Sequence, residues 1–474
     1  MKKFLLVEPV VAVYSFASFL SFPLIQQYVY RRLWEQVNNS SFINGLNISH
    51  CEINESHPIY IKQKEVQQRA SLFSMLVDLS GLIPSLLVAL ILVVYSDRQG
   101  RKAALLLPSI GAFVSSSFCF AMSYFSLTLY LLFASSLISG FLGSFATFLG
   151  GCFSYIADLC NEEKQKTIRI ALIDMLLGLG GGLAGLSSGY FLREIGFAWT
   201  FLIISLLHFL NIGYIIFCLE DTVKVSASQQ QAFNIEHFKE IIFAVFMFFK
   251  TSSCRKRTVI ILMLSAFIAY FFANLGGSSV FIFFELDSPL CWDEVLIGWG
   301  SSLSTLLFLS SFVGVYLFSC YLRDAYIVLI GIISWISGII MAAFATTTQT
   351  MFLVRLPLLF SAMPLPVLRS MMSKVVLANE QGALFACIAC LESLMGTVAL
   401  IVFNSIYAAT VMWYPGFCFL LAAGLSVLPF CIVWTIFYVK GIASDIRSYE
   451  KKSHLIHRFF PTLRQKVPGL HAVV

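Results

Sequence analysis

From Leu5 onward the chain is a succession of apolar windows separated by short polar interruptions. The windows fall near 5–26, 71–95, 103–124, 127–157, 167–192 and 197–219, then near 257–284, 295–322, 325–346, 350–377, 381–408 and 413–439. Each is about twenty residues or more, long enough for a helix to cross ~30 Å of hydrocarbon. The pattern predicts an all-α membrane protein with twelve transmembrane helices. The start, MKKFLLVEPVVAVY, has the basic and apolar regions of a signal peptide, but Glu8-Pro9 interrupts it. It is read as an uncleaved first helix.

The polar segment 220–256 divides the crossings six and six, the layout of carriers built from two parallel repeats. The expected units are an N-terminal six-helix half (1–219), a central cytosolic loop (220–256), a C-terminal six-helix half (257–439) and a cytosolic tail (440–474). Within the central loop, Phe238, Ile241, Ile242, Val245, Phe248 and Phe249 recur at helical spacing, which predicts an amphipathic helix on the membrane surface.

Composition agrees with lipid as the solvent: 58% of the 474 residues are hydrophobic, only 12% are charged, and there are 46 phenylalanines. A water-soluble chain could not hide that much apolar surface. The net charge of +6 arises from basic residues scattered through short loops, so no nucleic-acid face is expected. With both termini cytosolic, most Lys and Arg fall on the cytosolic side, as the positive-inside rule requires. Asn38, Asn39, Asn47 and Asn54 each begin an N-x-S triplet in the loop expected over about 27–70, which places that loop in the lumen and makes it glycosylated. Of twelve cysteines, Cys51 in this loop and Cys291 between the seventh and eighth windows face the oxidising side. They form a bridge or remain two separate thiols.

Candidate chemistry is sparse. After the second window the chain reads Asp97-Arg98-Gln99-Gly100-Arg101-Lys102, which resembles the D-x-x-G-R-[KR] signature of the major facilitator superfamily. Gly100 permits a tight turn, and Asp97 can pair with Arg101 or face a helix N-terminus, holding cytosolic helix ends together in one state of a gate. Asp97, Gly100, Arg101 and Lys102 are therefore the gating candidates, with Arg323-Asp324 a worn counterpart in the second half. Charges inside a bilayer are costly and should face a cavity or a partner. Asp174, Arg355 and Glu392 lie within windows, and Asp78 sits nearer the lumenal end of the second. Two carboxyls from opposite halves suit proton coupling, while Arg355 suits a substrate anion or a carboxylate partner, including a fixed structural ion pair. Glu8 is expected at the interface near Lys2 and Lys3, Glu285 in an external loop, and His208 in an internal hydrogen bond. Gly178, Gly180, Gly181, Gly182 and Gly185 follow Asp174, and Pro357, Pro364 and Pro366 follow Arg355. These irregularities next to charges point to a site. No metal spacing or nucleophile motif suggests an enzyme.

With these residues in view the chain resembles the solute carrier 46 family. The likeness rests on QYVYRR, SDRQGRK, KQKTIRIALIDMLLG, ELDSPLCW, VLRSMMSKVV, EQGALFACIACLES and WYPGF, and is nearest to the lysosomal branch of that family. The resemblance implies a major facilitator fold of two six-helix halves and alternating access driven by protons, with no other cofactor. It implies a multi-pass protein of the lysosomal membrane. The implied cargo is bulky amphipathic organic anions: steroid conjugates, bile acids, muropeptides and maytansine-type catabolites. It further implies that Asp174, Arg355 and Glu392 serve coupling or binding, and that Cys51 and Cys291 match an external bridged pair. The alternatives are a plasma-membrane folate or pterin carrier and a ligand sensor that does not transport.

Overall fold

The computed structural model describes residues 7–38, 58–160, 162–221, 254–286, 290, 292, 294–377, 380–411 and 413–436. Among these the chain is helical, with eleven segments long and apolar enough to cross a membrane. One of them, Glu163–Phe217, has 55 residues. At 1.5 Å per residue it would run to about 80 Å, far beyond one crossing. The helix turns at Gly196, whose φ of 76° and ψ of 178° are open to glycine. It is therefore two crossings, and the total is the expected twelve.

In the first half, α1 covers Glu8–Asn38, α2 Pro58–Gln99 and α3 Lys102–Tyr124. The fourth crossing is broken into α4 (Leu131–Phe141) and α5 (Phe145–Leu159), and α6 is Glu163–Phe217. In the second half the seventh crossing is α7 (Cys254–Ser279) with α8 (Phe281–Leu286), and α9 is Glu294–Tyr321. α10 is Asp324–Ala343. The tenth crossing consists of α11 (Thr348–Leu353), a 3-10 turn (Pro357–Phe360) and α12 (Pro364–Val375). α13 is Gln381–Thr410 and α14 Phe417–Ile436.

Two helices outrun their apolar windows. The stretch expected as a loop over 27–70 is helical to Asn38 and again from Pro58. Tertiary contacts carry α1 onward: Tyr28 and Val29 are buried, Tyr28 Oη donates to Met122 O (3.2 Å), and Arg32 donates to Ser126 O (3.1 Å). Asn38 closes α1. Asn39, Asn47, Asn54, Cys51, Cys291 and the amphipathic stretch 238–249 lie outside the described residues. The end of the bundle where α1 stops and α2 starts is called the sequon face below.

The prolines break the tenth crossing as expected, and the freed backbone groups find partners on neighbouring helices, as a lipid environment requires. Ser310 and Ser311 of α9 both donate to Leu359 O (2.7 and 3.0 Å). Ser334 of α10 donates to Pro357 O (2.5 Å) and accepts from Phe360 N (3.1 Å). Ser311 Oγ also accepts from Ala362 N (3.2 Å), and Tyr270 Oη donates to Ser361 O. The glycines after Asp174 have a different task. A Cβ on Gly178 would fall 2.0 Å from Phe308, and one on Gly182 2.0 Å from Thr305 Oγ1. At four-residue spacing they seat α6 directly on α9, so they join the two halves rather than lining a site.

Candidate functional site

Opposite the sequon face, helix ends are tied by charge. Gly100 turns the chain at φ 114°, and Arg101 behind it is buried. Arg101 Nε donates to Asp158 Oδ2 (2.7 Å) at the end of α5, and its amide donates to Asp221 Oδ1 (2.7 Å). Lys102 Nζ donates to Ile216 O (2.7 Å). The side chain of Asp97 lies outside the described ones. The second half repeats the arrangement with signs exchanged: Asp324, which opens α10, pairs with Lys374 at the end of α12 (2.5 Å). In each half the start of the third crossing is thus bolted to the end of the fourth.

On this same side the halves meet. Thr167 Oγ1 of α6 lies 2.7 Å from Ser370 Oγ of α12, and Lys374 Nζ donates to Thr167 Oγ1 (2.8 Å). Cys390 Sγ donates to Leu86 O (3.3 Å). Phe153 and Phe385 face each other with ring centroids 5.7 Å apart. Just above this seam stands Arg369. Its Nη1 donates to Asp174 Oδ2 (2.5 Å), its Nε to Glu392 Oε1 (3.0 Å), and its Nη2 to the same Glu392 oxygen. The guanidinium lies between the rings of Phe153 (4.8 Å) and Phe267 (5.2 Å), one from each half. Asp174 belongs to the first half, Arg369 and Glu392 to the second, so the Asp174–Arg369 pair is an ionic tie across the seam. The cluster holds one positive and two negative charges and is electrically balanced when it also holds one proton.

On the sequon side of this cluster the halves enclose a cavity of about 1010 Å³. α1, α2 and α13 each present one face to it, at helical spacing: Phe22, Ile25 and Val29; Ser74, Asp78 and Ser85; Ser393, Thr397 and Ile401. Ser393 is the chain neighbour of Glu392, which puts the cluster at the height of the cavity's inner end, although Asp174, Arg369 and Glu392 do not themselves line it.

Residues 10–286 match the family model "Major Facilitator Superfamily". The "Lysosomal proton-coupled steroid conjugate and bile acid symporter SLC46A3" of Gallus gallus is 58% identical, over 90% of this chain and 93% of its own length. The Homo sapiens protein of that name is 50% identical, over 91% and 94%. The chain belongs to the solute carrier 46 family. A more distant member, the "Proton-coupled folate transporter" of Rattus norvegicus, is 31% identical, over 90% of this chain and 91% of its own. Among solved structures the human organic anion transporter MFSD10 superimposes with a TM-score of 0.68 at 16% identity, covering 90% of this chain and 98% of its own. The E. coli fucose:proton symporter FucP gives 0.64 at 12%, covering 92% and 98%. Both similarities establish the fold.

In this solute carrier 46 protein the expected partners are redistributed. Asp174 and Glu392 do converge from opposite halves, but the cation between them is Arg369, not Arg355. Arg355 instead pairs with Glu285 (3.0 Å) and lies over the Phe281 ring (4.9 Å). Glu285 is buried at the end of the seventh crossing rather than in an external loop. It fell one residue outside its apolar window. Glu8 is likewise buried, accepting from Arg169 Nε and Nη2 (2.9 and 2.7 Å), not from the interface lysines. His208 is buried with Nδ1 lacking a hydrogen-bond partner, its ring edge-on to Tyr14 at 5.3 Å. Arg369 carried a readable signal: it lies inside the window 350–377, three residues after Pro366.

Proposed function

We propose that this protein is a proton-coupled symporter of the lysosomal membrane that exports bulky amphipathic organic anions, of the steroid-conjugate and bile-acid type, from lumen to cytosol. Both termini are cytosolic in this reading, and the sequon face is lumenal. The observation that carries it is Arg369 held between Asp174 and Glu392 across the seam of the halves, a cluster one proton short of neutrality, with Ser393, next to Glu392 in the chain, lining a sequon-side cavity. The names of the most similar relatives support the cargo class and the compartment.

At acidic lumenal pH a proton enters the cluster. A protonated carboxyl donates where it formerly accepted, which weakens its hold on the guanidinium. Arg369 then has N–H donors for a sulfate or carboxylate arriving through the cavity. When the proton and cargo engage Asp174 and Arg369, the tie across the seam is lost and the halves can rock to the opposite side. Muropeptides and maytansine-type catabolites fit the same chemistry of a large apolar body with an anionic end. Cys51 and Cys291 would bridge on the lumenal side, and Asn38, Asn39, Asn47 and Asn54 would accept glycans there. Arg101, Lys102, Asp158 and their counterparts Asp324 and Lys374 would keep helix ends in register during the movement, with Asp97 and Gly100 completing that turn.

Uptake of a steroid sulfate into proteoliposomes under an inward acid gradient tests this. Gradient-stimulated uptake, made gradient-insensitive by Asp174→Asn or Glu392→Gln, is the expected result. Wild-type uptake indifferent to the gradient refutes the coupling. Strong competition by folate would instead favour the folate or pterin reading, and tight binding without flux a sensor.

A further inference from the structure

The ion cluster accounts for the anionic end of a cargo but leaves a second charge in the cavity unexplained. Among the described residues, the charged side chains that line the cavity are Arg31 and Asp78. Arg31 stacks over the Phe197 ring at 5.1 Å, at the mouth. Asp78 sits within the wall of α2, and its carboxylate has no hydrogen bond or ion pair among the described residues. Several neighbouring hydroxyls on α2 and α4 bond elsewhere: Ser80 and Ser136 both donate to Val77 O (2.7 and 2.9 Å), and Ser135 bonds to Ser115 (2.8 Å). Asp78 is exposed to the cavity, so water supplies its donors while the cavity is empty; a ligand that fills the cavity displaces that water and must offer a donor of its own or leave the carboxylate desolvated.

The placement fits one end of an elongated ligand. Leu86 of α2 is level with Cys390 of α13, because the two are hydrogen-bonded. Asp78 lies eight residues earlier on α2, about 12 Å toward the sequon face at 1.5 Å per residue. Glu392 lies two residues past Cys390, about 3 Å in the same direction. The two ends are thus offset by roughly 9 Å along the bundle, a gap that a rigid fused-ring body can bridge. Between the two levels the wall carries Leu79 and Leu82 of α2 beside Ser85, Ser393 and Thr397, while Phe73 and Leu400 extend the apolar surface past Asp78 toward the sequon face.

Resting on the symporter reading above, we propose that Asp78 is the second anchor of the cargo site, accepting a hydrogen bond from a hydroxyl or ammonium at the end remote from the anionic group. Asp78 is then a specificity residue. It favours amphipathic anions with a distal donor over those with a bare apolar end, for which an unpaired carboxylate remains desolvated.

The test compares two taurine-conjugated bile-acid skeletons in proteoliposomes under a fixed acid gradient, one with ring hydroxyls and one with none. Wild type, Asp78→Leu and Asp78→Asn are measured for both. The expected result is that Asp78→Leu raises KM about ten-fold for the hydroxylated anion, a difference of about 1.4 kcal/mol, with kcat held. KM for the hydroxyl-free anion should stay within two-fold or fall. Asp78→Asn, which keeps an acceptor oxygen, should lie between and covers the case in which the leucine variant does not fold. Equal changes for both anions, or loss of the response to the gradient for both, overturns the proposal. If wild type transports neither anion, it is the symporter reading that fails.

Discussion

Arg369 has two carboxylates and two aromatic rings around it, and removing its charge should expose how much of the architecture depends on it. Arg369→Met keeps an apolar stem of similar reach between Phe153 and Phe267, so the packing loss is small. What is left is Asp174 and Glu392 facing each other without a cation, both largely shielded from water. Breaking a buried ion pair by deleting one partner costs about 3–5 kcal/mol, because the remaining charge is desolvated and unpaired. Here two such charges remain, so the upper part of that range is expected at neutral pH. Neutralising them as well, in the triple variant with Asp174→Asn and Glu392→Gln, should recover most of the loss, since a neutral, well-packed replacement of a buried ion cluster is often tolerated. Titrating purified protein in mixed micelles with a denaturing detergent gives the free energies. A loss below about 1 kcal/mol in the single variant, or a triple variant no better than it, would refute the account of the cluster.

Other substitutions test separate parts of the frame. Gly182→Leu forces side-chain atoms into Thr305 across the seam and should abolish uptake with an overpacking cost of about 1–3 kcal/mol; Gly185→Leu, with nothing within 4 Å of its Cβ position, should leave uptake near wild type. Ser334→Ala strands Pro357 O and Phe360 N in the broken tenth crossing and should destabilise by about 2 kcal/mol in the same detergent titration. Ser337→Ala, whose hydroxyl serves only Ser334 O of its own helix, should cost far less. Gly100→Ala meets both a positive φ and Asp221, and should lower the thermal midpoint by the equivalent of about 1–3 kcal/mol.

The failures of sequence reading share a cause. Glu285 and Glu8 were assigned by their distance from the ends of apolar windows, yet each is drawn into the protein by an arginine 70 or 161 residues away. Arg355 lies within the window 350–377, as Arg369 does, but its partner is fixed by how α8 packs beside the start of the tenth crossing. Gly178, Gly180 and Gly182 mark close approach, whereas Gly185 faces open space; whether a helix or a ligand approaches is not written in them. By contrast Pro357 and Pro364 stand where the tenth crossing is interrupted, because a proline lacks its donor; yet Pro23, Pro84 and Pro108 lie inside continuous helices, so even this signal is read in context.

Taken alone, the sequence determines the number of crossings, the division into halves and the interruption of the tenth crossing. Hydrophobic length and the chemistry of proline and glycine are local properties, felt within a few residues of chain. It also names Asp174 and Glu392 as intramembrane acids that need a counterpart. Which cation meets them, and that Asp78 meets none among the described residues, is decided only when α2, α6, α12 and α13 are rotated and packed together. Ionic partners are selected by distance in space, and in a bundle of twelve crossings that distance bears almost no relation to separation along the chain.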